Sequence, residues 1–406
     1  MKYLLIILAL LSLPAQALAE TITLDQVIKE SLQKNTGIYR VQREFEDRLA
    51  DATEATLLDN PELNADAIRN SGDSGTGAEL ELTQPLKFSQ FSGARLAYAD
   101  ALVKVAGTQQ HYEVLKVINE TSALYTQVWL LQERKKLYEN YAEDADKMKK
   151  LVSAASAQGQ TSPAASHLFS ADAAKLRADA GAIGAELRKV RSDLARLTGR
   201  NYQLAELQRP AFLSIPADTD KLLSFAESRS GLRNVIKTRI SAAEERVRVA
   251  EQDAALPEIG PRLIYSRSPD GDEKSYGLGI GLRIPLWDQN NAERKRASAE
   301  LRQAKSEADL FAGLPQKDLI GELQQSAVVL QDRADDYFQD ILPGYRQSYE
   351  LTRKMFRQGQ ANALEVWQVR EKLLTSENEA LDAVAQAVNA RGDLEIELGG
   401  KLEEVQ

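Results

Sequence analysis

Side chains that usually carry chemistry are sparse in this chain. Its 406 residues include no cysteine and only two histidines, His111 and His167, which lie 56 positions apart with no ligand spacing around either. That excludes a disulfide framework and thiolate chemistry. Surface or packing roles are the ordinary reading of both imidazoles, with catalysis or metal binding as the alternative. Asp and Glu number 60 against 51 Lys and Arg, yet no convergent carboxylate pair and no nucleophile–base set stands out. A phosphate-cradling Walker pattern is missing as well. No catalytic residue, cofactor or metal site is therefore expected. The net charge of −9 lacks the basic face that a nucleic-acid partner requires.

The spacing that does speak is a period of two. Tyr276, Leu278, Ile280, Leu282 and Ile284 alternate with Gly277, Gly279, Gly281 and Arg283. Leu80 and Leu82 alternate with Glu79, Glu81 and Thr83 in the same way. Each run is apolar on one face and small or polar on the other, as a half-buried strand would be. A small soluble sheet and a transmembrane barrel, whose strands alternate apolar-out and polar-in, both fit. Four such strands with no other sheet need a partner for their apolar faces, and lipid is one candidate. Tyr276 and Trp287 would then sit at the bilayer interfaces.

These strands recur in a tandem repeat, the feature that fixes architecture. Pro61-Glu62-Leu63 returns as Pro257-Glu258-Ile259, at an offset of 196. At an offset of 200, Gln84-Pro85-Leu86 returns as Ile284-Pro285-Leu286, and Gln158-Gly159-Gln160 as Gln358-Gly359-Gln360. Asp193-Leu194 with Gly199 likewise returns as Asp393-Leu394 with Gly399. Each copy reads helix, two short strands, long helix, helix.

In the first copy a short helix is expected over Thr21–Lys34, with Thr23 or Asp25 near its start, and a longer one from Gly37 to Leu58, stopped by Asn60-Pro61. Strands follow over Glu62–Arg69 and Gly77–Leu86, around the turn chemistry of Ser71-Gly72-Asp73-Ser74-Gly75. Gln90 to Gln158 contains no proline and reads as a single helix of roughly 100 Å.

The helix after it carries Leu176, Ile183, Leu187, Val190, Leu194 and Leu197. Its counterpart carries Val366, Val369, Leu373, Ser376, Ala380, Ala383, Ala387, Ala390 and Leu394, spaced alternately 3 and 4. Both are coiled-coil seams, and the small residues allow close approach. Gly159 and Gly359 then mark the tips of two helical hairpins. Pro315 and Pro343, with no counterparts in the first copy, must kink or interrupt the second long helix.

The first residues read as an address. Lys2, the apolar run Leu4–Leu13, and Ala17-Leu18-Ala19 form a secretory signal peptide, with cleavage expected after Ala19. Removing Lys2 takes the net charge from −9 to −10. The resulting divisions are 1–19 signal peptide, 20–200 first repeat, 201–216 linker, 217–400 second repeat and 401–406 tail.

The duplication, element order and signal peptide together resemble the TolC family of outer-membrane efflux channels. The segments Gln84-Pro85-Leu86 and Ile284-Pro285-Leu286-Trp287-Asp288-Gln289-Asn290 look most like its CzcC-type, heavy-metal-efflux branch. The resemblance implies a mostly α fold with a small β part. It also implies a homotrimer that closes a 12-stranded transmembrane β-barrel, continued by a periplasmic α-helical barrel. Four strands cannot close a barrel alone, but three copies can, which removes edges that lipid would not tolerate.

Implied partners are a periplasmic adaptor, an inner-membrane pump of RND type, and outer-membrane lipid. The location would be the outer membrane of a Gram-negative bacterium, with the chain extending into the periplasm. The adaptor would meet Gly159, Gln160, Thr161 and Ser162 at one tip and Gly359, Gln360, Ala361 and Asn362 at the other. Glu365 and Gln368 take the family's entrance positions, and a three-fold ring of Glu365 would favour cations. Trp367 stands where leucine is usual, Ala165 at an acidic position and Ala361 at a gate arginine, so a TolC-like salt-bridge lock is not carried over.

The strand residues Leu80, Leu82, Tyr276, Leu278, Ile280, Leu282 and Ile284 would face the membrane. The function implied is a passive exit duct, with metal cations expected first as substrate. A drug or type I protein secretion channel is the alternative. A periplasmic coiled-coil adaptor or scaffold follows, and a secreted helical enzyme comes last.

Overall fold

The computed structural model describes residues 21–69, 75–203, 205–212, 214–229, 231–255, 257–269, 273–284, 286–287 and 289–405. The expected signal peptide, the turn residues Ser71–Ser74, and Pro285 and Asp288 of the second strand exit lie outside the described residues.

The repeat is visible element by element. The first copy contains α1 (Leu24–Lys34), α2 (Thr36–Thr56), β2 (Glu62–Ile68), β3 (Gly77–Thr83), a short α3 (Phe88–Phe91), α4 (Ala94–Ala157) and α5 (Pro163–Thr198). The second contains α6 (Thr219–Ser228), α7 (Leu232–Ala255), β5 (Glu258–Arg267), β6 (Lys274–Arg283), α8 (Asn291–Asp309), α9 (Gln316–Asp336), α10 (Leu342–Arg357) and α11 (Ala363–Leu398). Two-residue strands β1 (Thr21–Ile22) and β4 (Glu206–Leu207) pair in parallel.

Local chemistry explains most of the boundaries. Thr23 caps α1 in a reciprocal box, its hydroxyl accepting from the Gln26 amide while Gln26 Oε1 accepts from the Thr23 amide. Gly93, at φ +76°, separates α3 from α4, so the long helix begins later than the sequence suggested. α4 then runs 64 residues without interruption. Its second-copy counterpart is broken twice. Leu310–Pro315 separate α8 from α9, and a π-helical turn over Tyr337–Ile341 precedes Pro343. Pro343 has no N–H to donate, and the widened turn absorbs the resulting change in hydrogen-bond register.

The chain divides into two compact units. Among the described residues, the first comprises those within 21–38, 116–217 and 321–395, and the second those within 39–115, 218–320 and 396–405. The core of the first is a helix–helix seam. Leu176, Leu187, Val190 and Leu194 of α5 are buried, as are Val366, Leu373, Ala380, Ala383 and Ala387 of α11, in the 3/4 spacing read from sequence. The β1–β4 pair is sealed by Tyr125, whose hydroxyl lies 2.8 Å from the carbonyls of both Ile22 and Gln208. Burial raises the pKa of that phenol, so it acts as a neutral donor.

The second unit holds an antiparallel sheet in the order β2-β3-β5-β6. Its helices follow the strands in the same order. Ala52 of α2 packs on Ala99 and Leu102 of α4, and Ala101 and Val105 of α4 pack on Ala242 of α7. Arg246 of α7 bonds Glu293 of α8 at 2.7 Å.

Candidate functional site

Two features are the candidates: the sheet, in the second unit, and the two hairpin tips, in the first.

Sheet register puts Leu63 opposite Leu82, Leu82 opposite Leu263 and Leu263 opposite Leu278. Leu80, Tyr265 and Tyr276 form the next row, with Ala65 at its end, and the two tyrosine rings lie 5.4 Å apart. All these side chains share one face, because alternate residues of a strand point the same way. They are not buried. Tyr276 is 80% exposed, Leu278 86%, Ile280 68% and Leu282 58%. Ile284 and Trp287, beyond the strand end, are exposed too. A contiguous apolar face of this extent marks an interaction surface.

The opposite face carries the sheet's ion pairs, alongside Ile264. Glu81 bonds Arg262 at 3.3 Å, and Glu258 bonds Arg283 at 3.3 Å. The Arg262 guanidinium lies along β6, where a Cβ at Gly281 would stand 3.4 Å from its Nε. The glycines that alternate with the apolar residues therefore leave room for a charged side chain. Sequence reading found the apolar members of this sheet but not Arg262, whose partner lies 181 residues away.

At the tips, both glycines adopt the left-handed conformation, Gly159 at φ +73° and Gly359 at +71°. Each closes its helix with the same pair of bonds. Gln160 N–H reaches the Ala155 carbonyl (2.9 Å) and Gly159 N–H that of Ser156 (3.0 Å). Gln360 N–H reaches Met355 (2.9 Å) and Gly359 N–H reaches Phe356 (3.0 Å). This is the Schellman arrangement, for which glycine is the favoured residue.

The helices leaving the tips start differently. Ser162 caps α5, accepting from the Ala164 amide, with Pro163 in the first turn. Asn362 caps α11 reciprocally: its Oδ1 accepts from Glu365 N–H (2.9 Å), and the Glu365 carboxylate accepts from Asn362 Nδ2 (2.9 Å). Thr161 and Ala361 are half-buried; Gln160, Ser162, Gln360, Asn362, Glu365 and Gln368 are exposed. Glu365 therefore serves as a helix cap as well as a surface charge, a role the sequence reading did not assign. The structure places Trp367 partly in the core, with its indole N–H buried and unpartnered among the described residues.

Above the tips the first unit hides a charged residue. Arg370 of α11 is fully buried and pairs with Asp172 of α5. Its guanidinium lies 5.7 Å from the Phe169 ring centre and 5.9 Å from that of Tyr141, and donates to the Tyr141 carbonyl. Burial lowers its pKa, opposed by nearby carboxylates. Beside it, Asp144 of α4 takes Tyr349 and Arg353 of α10.

Among the described residues no helix is long and apolar enough to cross a membrane. That leaves the sheet as the apolar surface to be explained.

Residues 234–400 match the family model described as outer membrane efflux protein. Solved outer-membrane proteins share the fold over nearly the whole chain. VceC from Vibrio cholerae is 17% identical with a TM-score of 0.74, covering 93% of this chain and 96% of its own. CusC, whose structures concern transmembrane channel formation, is 16% identical with a TM-score of 0.73, covering 93% and 92%. The Campylobacter jejuni CmeC outer membrane channel is 14% identical with a TM-score of 0.72, covering 93% and 85%. No curated protein sequence matches the chain. The fold is shared with these solved structures. The family match is confined to the second half of the chain.

Proposed function

We propose that this chain is the outer-membrane exit duct of a tripartite efflux system. Three copies would close a twelve-stranded barrel. They would conduct substrate passively from an inner-membrane pump, through a periplasmic adaptor, to the exterior. The observation that carries this reading is the four-stranded sheet, which exposes a continuous apolar face and leaves β2 and β6 with open edges. Lipid would cover the face, and neighbouring copies would pair the edges. The two Schellman tips supply equivalent exposed ends for an adaptor, which would contact Gly159–Ser162 and Gly359–Asn362. Glu365 and Gln368 would line the periplasmic entrance.

Metal cations are the substrate expected first, on the resemblance of the two strand exits to the CzcC-type branch, and the pump would then be of RND type. The chain has two histidines, three methionines and no cysteine, too few soft ligands to select a metal, so selectivity would reside in the pump. Deleting this protein from its host and challenging the cells with divalent metals and with drugs tests the assignment. Metal sensitivity restored by the cloned chain is the expected outcome. Unchanged metal resistance with new drug sensitivity would replace the substrate assignment. No export defect of either kind would count against the duct itself.

A further inference from the structure

Three cations in the second unit share a groove without sharing a counter-charge. Arg294, Lys295 and Arg302 of α8 line an open groove of about 360 Å³ against α7, together with Asn291, Ser298 and Glu251. That is ample room for a phosphate-sized group with its waters. Asn291, Arg294, Lys295, Ser298 and Arg302 are spaced 3, 1, 3 and 4, so they share one face of the helix. The carboxylates of α8 are committed elsewhere. Glu293 and Glu300 stand on the opposite side, where both take Arg246, Glu293 at 2.7 Å. Glu307 takes Arg239 at 3.4 Å. Neighbouring cations are committed too: Arg296 to Glu293 at 3.4 Å, Lys305 to Glu244 at 3.2 Å and Arg248 to Glu245 at 3.3 Å.

Arg294, Lys295 and Arg302 are exposed and, among the described residues, form no ion pair. Set against Glu251, the three leave the groove at a net charge of +2. The whole chain is at −9, so a free anion feels little attraction from farther than a Debye length of about 10 Å. An anion that fills this groove has to be presented at close range. A surface that could present one adjoins it. β6 ends at Arg283, the next described residues Ile284, Leu286 and Trp287 are 59%, 63% and 91% exposed, and α8 begins at Asn291. Arg294 and Lys295 stand about 5 and 6 Å along α8. The headgroup layer of a bilayer is roughly 5–8 Å deep on each side. A membrane that covers the apolar sheet face therefore brings its headgroups to these two cations.

We infer that the α7–α8 groove binds the phosphate of an anionic phospholipid in the leaflet next to it. Arg294 and Lys295 bond the phosphate oxygens, and Arg302 reaches them from two turns farther along the helix. Asn291 and Ser298 add neutral donors. Glu251, the groove's one carboxylate, accepts from a headgroup hydroxyl such as those of phosphatidylglycerol. The acyl chains lie along the apolar face that begins at Leu282, which is 58% exposed. Clustered cations beside a membrane surface recognise anionic headgroups in this way. The inference rests on the membrane reading of the sheet and adds a lipid site on the helices that adjoin it.

The test is native mass spectrometry of the mature full chain, purified from outer membranes in detergent and titrated with phosphatidylglycerol. Retained phosphatidylglycerol is expected, with much weaker retention of phosphatidylethanolamine, which carries the same phosphate and a compensating ammonium. Arg294→Gln/Lys295→Gln/Arg302→Gln should weaken phosphatidylglycerol binding by about fivefold per cation and about 100-fold together. The matched triple Arg248→Gln/Arg296→Gln/Lys305→Gln, which removes cations already paired, should bind as the parent does. Equal weakening by both triples would reduce the effect to net charge and overturn the groove. Displacement of the lipid by millimolar inorganic phosphate would overturn a lipid as the occupant. Loss of the trimeric mass in the groove variant alone would assign these cations to a contact between copies and overturn the site. Should that variant fail to fold, the parent decides: equal retention of the two lipids overturns the inference. A trimer from outer membranes that retains no phosphatidylglycerol overturns the lipid site alone, whereas a chain found only in the soluble fraction overturns the membrane reading with it.

Discussion

Gly359 and Glu365 sit six residues apart and set different conditions on the same tip. A Cβ at Gly359 would meet nothing within 4 Å, so the demand there comes from the backbone, at φ +71°. A β-branched residue forced into that region costs about 1–2 kcal/mol. Gly359→Val, or Gly159→Val, should therefore abolish pump-dependent export in cells while the native mass of the assembly stays unchanged. Loss of the assembly instead would show that these glycines shape the body of the protein rather than a docking tip. Glu365 is held by its cap to Asn362, and two substitutions separate its roles. Glu365→Gln keeps an acceptor for the cap and removes the charge; Glu365→Lys removes both. Cation selectivity in planar bilayers should fall in both variants and further in the lysine one. Selectivity unchanged in both would mean that this carboxylate does not line the constriction.

Among the elements, the sheet makes the sharpest demand. Leu278 lies at the middle of β6 on the apolar face, and an arginine on the lipid face near the midplane costs about 2–4 kcal/mol. Leu278→Arg should markedly reduce folded protein recovered from outer membranes, whereas Ser266→Lys, on the opposite face, should recover close to the parent. Equal recoveries would point to a soluble sheet. The α7–α8 contact has a pH dependence. A hydrogen bond from Arg246 lowers the pKa of Glu293, partly opposed by burial. A depressed folded-state pKa stabilises above the ordinary carboxylate value of 4.5 and loses that contribution as pH falls through the folded pKa. Thermal melts of the parent should therefore lose stability below pH 4.5 more steeply than melts of Glu293→Gln.

What could be read from sequence at this scale followed from how local the signal was. The period-two strands, the 3/4 seams and the glycine tips are short-range patterns, and all three are seen in the fold. Val369 of the seam packs against the core as read, but Arg370 beside it, which the seam did not include, is fully enclosed, because Asp172 and two aromatic rings on other helices receive it. The β1–β4 pair, two residues on each side, was too short to leave a periodicity. The Asn362–Glu365 cap was hidden by reading Glu365 only as a charge.

For the whole molecule, duplication is the governing fact. Gly159 and Gly199 have counterparts 200 residues later at Gly359 and Gly399, and all four adopt positive φ, between 66° and 73°. The two halves thus end their helices by the same device. They differ in the second long helix, which α8, α9 and α10 build in pieces. Four strands with two open edges cannot close a barrel alone, so the proposed duct requires three copies. Electron microscopy of the mature protein, purified from outer membranes in detergent, tests this most directly. A three-fold hollow cylinder far longer than it is wide is the predicted result. A monomer, or a solid rod recovered from the soluble fraction, would contradict it.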